Sequence, residues 1–119
     1  MHTFPSGITP SCPIRTTLEM LGGKWSLLVL NQLVGGPLRF GELYRLLPDI
    51  SEKVLVQELK QLANAELLVR TNHGEVPPRV EYHLTPLGRQ ALPVLAATAE
   101  FGRIYAEHIQ AGRPQQSIG

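Results

Sequence analysis

The chain has 119 residues, 43% apolar and 18% charged, with a net charge of +1. That length and apolar content suit one domain with a core of its own, and the near-neutral balance excludes a polybasic nucleic-acid binder held by bulk charge alone. Cys12 is the single cysteine, so no internal disulfide can form, and the longest strongly apolar run, Leu27 to Leu30, is far too short to span a bilayer.

Residues 1–11 are rich in Pro, Ser, Thr and Gly and read as a flexible arm. They carry neither a basic flank nor an apolar stretch of signal-peptide type, so a reducing, cytoplasmic location is expected. A first helix is predicted from about Pro13 to Leu21. Pro13 suits the first helical position, which makes Cys12 the N-cap, and Gly22 and Gly23 end it. A second runs from about Lys24 to Val34, with Trp25, Leu28, Val29 and Leu33 as its core face, and Gly35-Gly36-Pro37 stop it. Leu38 to Phe40 suggests a short strand. A third helix covers Gly41 to Leu47, with Phe40, Leu43, Tyr44 and Leu47 at i, i+3, i+4 and i+7.

Pro48, Asp49 and Ile50 form a turn, and Ser51 caps a fourth helix that runs to between Asn64 and Glu66. Ile50 and Leu55 occupy the two hydrophobic-staple positions that fix a helix's entry angle. At about 100° per residue, Leu55, Leu59 and Leu62 fall on one line and Lys53, Gln57, Lys60 and Asn64 on the line opposite. The first line packs on a core. The second offers cations and planar amides, the groups that meet phosphates and base edges.

Leu68 to Asn72 reads as a strand, broken by His73, Gly74, Pro77 and Pro78, and Arg79 to Leu84 returns as its partner. Val80, Tyr82 and Leu84 should face inward, with Arg79, Glu81 and His83 outward. Thr85-Pro86 then starts a helical stretch to about Ile109, bent near Pro93. Leu87, Ala91, Leu95, Ala99 and Gly102 trace one seam along it, with Phe101, Ile104 and Tyr105 beside. That seam exceeds what so small a core needs, so it is expected to bury against a second copy. Residues 12–111 make one domain, and 112–119 read as a disordered tail. The fold class read from these elements is mainly α with a small β-hairpin: a winged helix-turn-helix, expected to form a homodimer and to bind double-stranded DNA.

Between Arg39 and Arg79 the charges cancel, with Arg39, Arg45, Lys53, Lys60, Arg70 and Arg79 against Glu42, Asp49, Glu52, Glu58, Glu66 and Glu75. DNA binding must therefore rest on where the charges point. Lys53, Gln57 and Lys60 are the main candidates: Gln57 can pair with adenine through two hydrogen bonds, and the lysines can meet guanine or phosphate. Their bland alternative is a solvated helix face, which the preceding turn and the following hairpin argue against. Ser51 is a cap first and a phosphate contact second. Glu52 supports the helix N-terminus rather than reading cytosine. Arg79 follows two prolines that stiffen the wing tip and is read as reaching a phosphate or the minor groove, against the alternative of a surface ion pair worth little. Lys24 opens the second helix and is read as facing phosphate, while Trp25 is read as core.

Several strings, in order, resemble the HxlR family of winged-helix transcription regulators, relatives of the MarR group. They are Cys12-Pro13, Leu21-Gly22-Gly23-Lys24-Trp25, Arg39-Phe40-Gly41-Glu42-Leu43, Leu47-Pro48-Asp49-Ile50-Ser51, Val76-Pro77-Pro78-Arg79-Val80-Glu81-Tyr82, and Leu84-Thr85-Pro86-Leu87-Gly88. The resemblance spans about residues 12–109. It implies a dimer built through the terminal helices, the fourth helix in the major groove, the wing on the flanking backbone, and a backbone contact for Arg39. It also implies a sensing role for Cys12, since several such proteins sense quinones, aldehydes or oxidants through a cysteine at this position.

A thiol at a helix N-terminus faces free N–H groups and the positive end of the dipole, which favours thiolate. Arg15 would add to that and Glu19 would offset it. The chemistry open to a lone Cys12 is a disulfide to the partner's copy, a mixed disulfide with a small thiol, or an adduct with an electrophile. The alternative keeps Cys12 as a silent cap and places a small-molecule effector at the dimer seam. A winged helix used only as a protein–protein module would call for an apolar or acidic fourth-helix face, which the Lys–Gln–Lys–Asn line is not.

Gly36 and Gly41 have the spacing of a phosphate loop, but Glu42 and Leu43 stand where Lys and Ser or Thr belong. His2, His73, His83 and His108 lack ligand spacing, so no metal or other cofactor is expected. Neither paired carboxylates nor a nucleophile elbow appears, and an enzyme is not expected.

Overall fold

The structure, a computed structural model, describes residues 12–112. The expected N-terminal arm, and the tail beyond Gly112, lie outside the described residues. In chain order the elements are α1 (Pro13–Leu21), α2 (Ser26–Gln32), α3 (Phe40–Leu46), α4 (Glu52–Asn64), β1 (Leu68–Asn72), β2 (Val80–Leu84), α5 (Pro86–Arg89) and α6 (Leu92–Gln110).

A single apolar core holds these elements together. Val29, Leu30 and Leu33 from α2 and its C-cap, Leu43 and Leu47 from α3 and its end, and Leu55, Leu59 and Leu62 from α4 are all buried. Leu21, Leu67, Leu68 and Leu84 close it from α1 and the hairpin base. Burial of each such leucine contributes roughly 1.5–3 kcal/mol. The α2 face differs from expectation. Leu28 is 44% exposed, and Leu30 and Ser26 are buried instead. This helix has seven residues and meets α1, α3 and α4, so its buried face is wider than one stripe.

The α3–α4 turn is built as its sequence implies. Asp49 takes a left-handed conformation at φ 76°, which lets the chain reverse after Pro48. Ser51 caps α4, its Oγ accepting from the Val54 N–H at 3.1 Å. The staple residues Ile50 and Leu55 are both buried, pinning the start of α4 to the core. At the other end Leu67 N–H bonds to Leu62 C=O and Glu66 N–H to Ala63 C=O, a Schellman closure with Glu66 left-handed at φ 66°.

β1 and β2 pair antiparallel, from Leu68 opposite Leu84 to Asn72 opposite Val80. The short strand expected at Leu38 is reduced to one bridge, with Leu38 and Tyr82 exchanging two backbone hydrogen bonds of 3.0 and 2.8 Å. Sequence alternation in β2 is muted: Val80 through His83 are all half-buried and only Leu84 is buried. Glu81 leaves solvent because His73 and Arg79 both hold its carboxylate.

The final helical stretch is two helices, not one bent helix. Pro93 lacks an N–H and crowds the preceding turn, so the chain breaks ahead of it and Pro93 takes a first-turn position of α6. Thr85 caps α5, accepting from Gly88 N–H at 2.9 Å while donating to Glu66 C=O at 2.6 Å. Gly88 packs flat on the start of the hairpin: a Cβ there would stand 2.0 Å from the Leu67 carbonyl oxygen. The expected seam also divides. Ala91 and Leu95 pack on the chain's own core, whereas everything from Ala96 to Gly112 is exposed.

Candidate nucleic-acid interface

Lys53, Gln57, Lys60 and Asn64 are all exposed on α4, opposite the buried Leu55, Leu59 and Leu62. Among the described residues none of these four has a side-chain hydrogen bond or ion pair, so the donors and acceptors of the row are available. Their neighbour Glu58 turns inward instead. Its Oε1 accepts from Ser26 Oγ at 3.2 Å, where Ser26 is buried at the start of α2. One α4 carboxylate is thus withdrawn from the exposed row and used to brace the helix.

Arg39 occupies the N-cap position of α3, and its backbone N–H donates to Glu42 Oε1 at 2.7 Å. Its side chain lines an open polar depression of about 520 Å³ with Pro37, Gly41, Glu42, Arg45 and Glu81. Arg45 entered the sequence reading only in the charge balance, not as a site residue. Its signal was available: it lies on α3 between Leu43 and Leu47, both buried, and so faces outward.

Arg79 is more constrained than its sequence context suggests. Its guanidinium meets Glu75 Oε2 at 2.9 Å and Glu81 Oε2 at 3.6 Å, and Glu81 Oε1 meets His73 Nε2 at 2.9 Å. The wing tip therefore neutralises its own cation. Lys24 sits in the α1–α2 turn with its ammonium 5.2 Å from the Trp25 ring centroid, a cation–π contact that leaves the charge at the surface.

The even charge count between residues 39 and 79 is partly resolved in space, since three of the six carboxylates are engaged while Asp49, Glu52 and Glu66 stay exposed. Glu42 caps a helix, Glu58 braces another, and Glu75 is paired within the wing. Lys53, Lys60 and Arg70 keep free exposed cations. An arrangement with a capped, outward-facing helix behind a short helix and before a hairpin is that of a winged helix-turn-helix.

Residues 20–110 match the model of the HxlR-like helix-turn-helix family. The chain belongs to that family. It is 43% identical over 97 residues to the uncharacterized HTH-type transcriptional regulator YkvN of Bacillus subtilis, covering 82% of both chains. Among solved structures, a MarR-family transcriptional regulator from Porphyromonas gingivalis superposes with a TM-score of 0.75 at 45% identity, covering 80% of this chain and 93% of that one. The redox regulator HypR in its reduced form gives a TM-score of 0.79 at 31% identity, covering 84% of this chain and 99% of that one. Its oxidised form gives 0.74 at 35% identity, covering 77% and 95%. The protein is a transcriptional regulator of the helix-turn-helix type, not an enzyme.

Cys12 is exposed and is the N-cap of α1, with its carbonyl accepting from Thr16 N–H at 2.8 Å. The thiol makes no capping bond. It borders an open, mainly apolar depression of about 540 Å³ on the outer side of α1, lined by Ile14, Arg15, Leu18 and Glu19. Ile14 and Leu18 there are 72% and 61% exposed, and Phe101 on α6 is 65% exposed. No three His, Cys, Asp or Glu side chains gather to hold a metal among the described residues, and no helix among them is long and apolar enough to cross a membrane.

Proposed function

We propose that this regulator acts as a homodimer on a two-fold symmetric DNA operator, with α4 of each subunit in successive major grooves about 34–36 Å apart. The observation that carries the reading is the unpaired Lys53–Gln57–Lys60 row on a helix whose entry is fixed by Ser51, Ile50 and Leu55. Gln57 reads base edges, and Lys53 and Lys60 meet bases or backbone. Ser51, Arg39 and Lys24 take flanking phosphates, and Arg79 supports the wing there with a charge already offset by Glu75 and Glu81.

The dimer is favoured by surface that the monomer leaves bare. Ile14 and Leu18 on α1, and Phe101, Ile104, Tyr105 and Ile109 on α6, are all exposed. α6 buries no residue fully over its 19 residues, about 28 Å of helix. A solitary soluble domain rarely exposes so many large apolar side chains on its terminal helices.

Control is assigned to Cys12. Its thiol is accessible and stands beside the bare face of α1, so modification there would change what the terminal helices can pack against. The similarity to HypR, a redox regulator solved in reduced and oxidised forms, favours thiol chemistry over a small ligand held at the seam.

The test of the DNA reading is Gln57→Ala measured on a set of related duplexes. Relaxed preference at one position of each half-site, with non-specific affinity retained, supports it. Unchanged preference at every position refutes the base-reading role.

A further inference from the structure

Arg70 is the cation that the sequence pattern hides. It is two residues after the buried Leu68, so strand alternation places it on the side of β1 that faces α4. A residue there is expected to be apolar. Arg70 instead is exposed, because the core ends at Leu68 and the next position on that side opens at the rim.

At that rim lies a small depression of about 130 Å³ between the recognition helix and the wing. Val56, Leu59 and Ala63 form its floor and sides from α4, Tyr82 closes it from β2, and Lys60 and Arg70 are its two charged residues. No carboxylate lines it, and neither cation has an ion-pair partner among the described residues. Two like charges beside one apolar depression repel each other, and an anion between them relieves that. Arg79, just ahead of β2, is already matched by Glu75 and Glu81.

We infer that Lys60 and Arg70 together grip the phosphodiester backbone of one DNA strand, at the edge of the groove that α4 enters. The inference rests on the DNA-binding reading above and sharpens it in two ways. Lys60 is a backbone contact rather than a base contact, and the wing's principal phosphate contact is Arg70 rather than Arg79. The location decides between base and backbone. The major groove is about 12 Å wide, so a helix inside it is flanked by phosphates, and a cleft between that helix and the wing meets the flank. Guanidinium suits a phosphate better than a point charge does, through paired N–H donors.

The experiment is the salt dependence of binding to one operator duplex and one unrelated duplex. It uses the full chain as wild type, Lys60→Gln, Arg70→Gln, the double variant, Arg70→Lys and Arg79→Gln. The double variant is expected to flatten the log–log salt slope by about 0.9 to 1.8, one to two phosphates. Arg70→Gln alone should weaken both duplexes by a similar factor, roughly ten- to a hundredfold. Arg70→Lys should keep the wild-type slope, and Arg79→Gln should flatten it less than Arg70→Gln does. Both Gln changes are at exposed sites, and circular dichroism with the melting temperature checks folding. A double variant with the wild-type slope, or one that alters base preference, overturns the inference. If Arg79→Gln flattens the slope and Arg70→Gln does not, the inference is overturned as well. Wild-type protein that binds neither duplex overturns the DNA-binding reading itself, and this inference with it.

Discussion

Ser26 Oγ donates to Glu58 Oε1 across 3.2 Å and so joins the start of α2 to the middle of α4. Glu58 is next to Gln57 in sequence, about 100° round the helix, so it reaches the buried Ser26 while Gln57 stays exposed. The bond adds to the burial of Leu55, Leu59 and Leu62 in holding the rotation of α4 about its own axis, and with it the direction of the Lys53–Gln57–Lys60 row. Ser26→Ala leaves the Glu58 carboxylate half-buried without its donor. Stability should fall by about 1–2 kcal/mol in urea unfolding, with operator affinity reduced. Glu58→Gln, which keeps an acceptor oxygen, should lose less than either Ser26→Ala or Glu58→Ala.

Gly88 holds α5 against the start of the wing, because only a residue without Cβ fits beside the Leu67 carbonyl. Gly88→Ala must push α5 off or distort the Glu66–Thr85 hydrogen bond. The expected cost is about 3 kcal/mol, read as a lower urea midpoint. A midpoint within error of wild type would mean that this close approach is not part of the folded state.

The exposed α6 face should hold the dimer. Charging it with Phe101→Glu and Ile104→Glu is expected to give a folded monomer by sedimentation velocity, since neither side chain belongs to the core. Affinity for the full two-fold site should drop roughly hundredfold or more as the two half-sites uncouple. A variant that stays dimeric would move the interface elsewhere.

Cys12→Ser tests control. Wild-type protein should lose or change operator binding on treatment with a thiol oxidant such as diamide and recover with dithiothreitol. The serine variant should bind as the reduced wild type does and ignore the oxidant. A serine variant that responds like wild type would rule out sensing through Cys12.

Much of the fold was legible because short-range chemistry marks its joints. Pro13, Ser51 and Thr85-Pro86 open helices where expected, and Pro48 closes α3. The α4 faces were readable because thirteen residues give the period room to show. The seven-residue α2 gave too few turns, so the period chose Leu28 where the structure buries Leu30. The proline at 93 was visible, but its effect depends on whether the helix bends around it or restarts, and packing of Leu92, Val94 and Leu95 on the core favours the restart. At the interface, the free row on α4 followed from spacing alone. The pairing of Arg79 did not, because it needs the hairpin to bring Glu75 and Glu81 to one guanidinium. Nor did Arg70, since a charged residue at a core-facing strand position is explained only by knowing where the core ends.

Selection of bound duplexes from a random DNA pool by the reduced protein tests the central claim most directly. The account predicts a two-fold symmetric motif whose half-sites lie about one helical turn, or a multiple of it, apart, each read by one α4. Absence of any enriched motif at moderate salt, from protein shown to be folded, would contradict it.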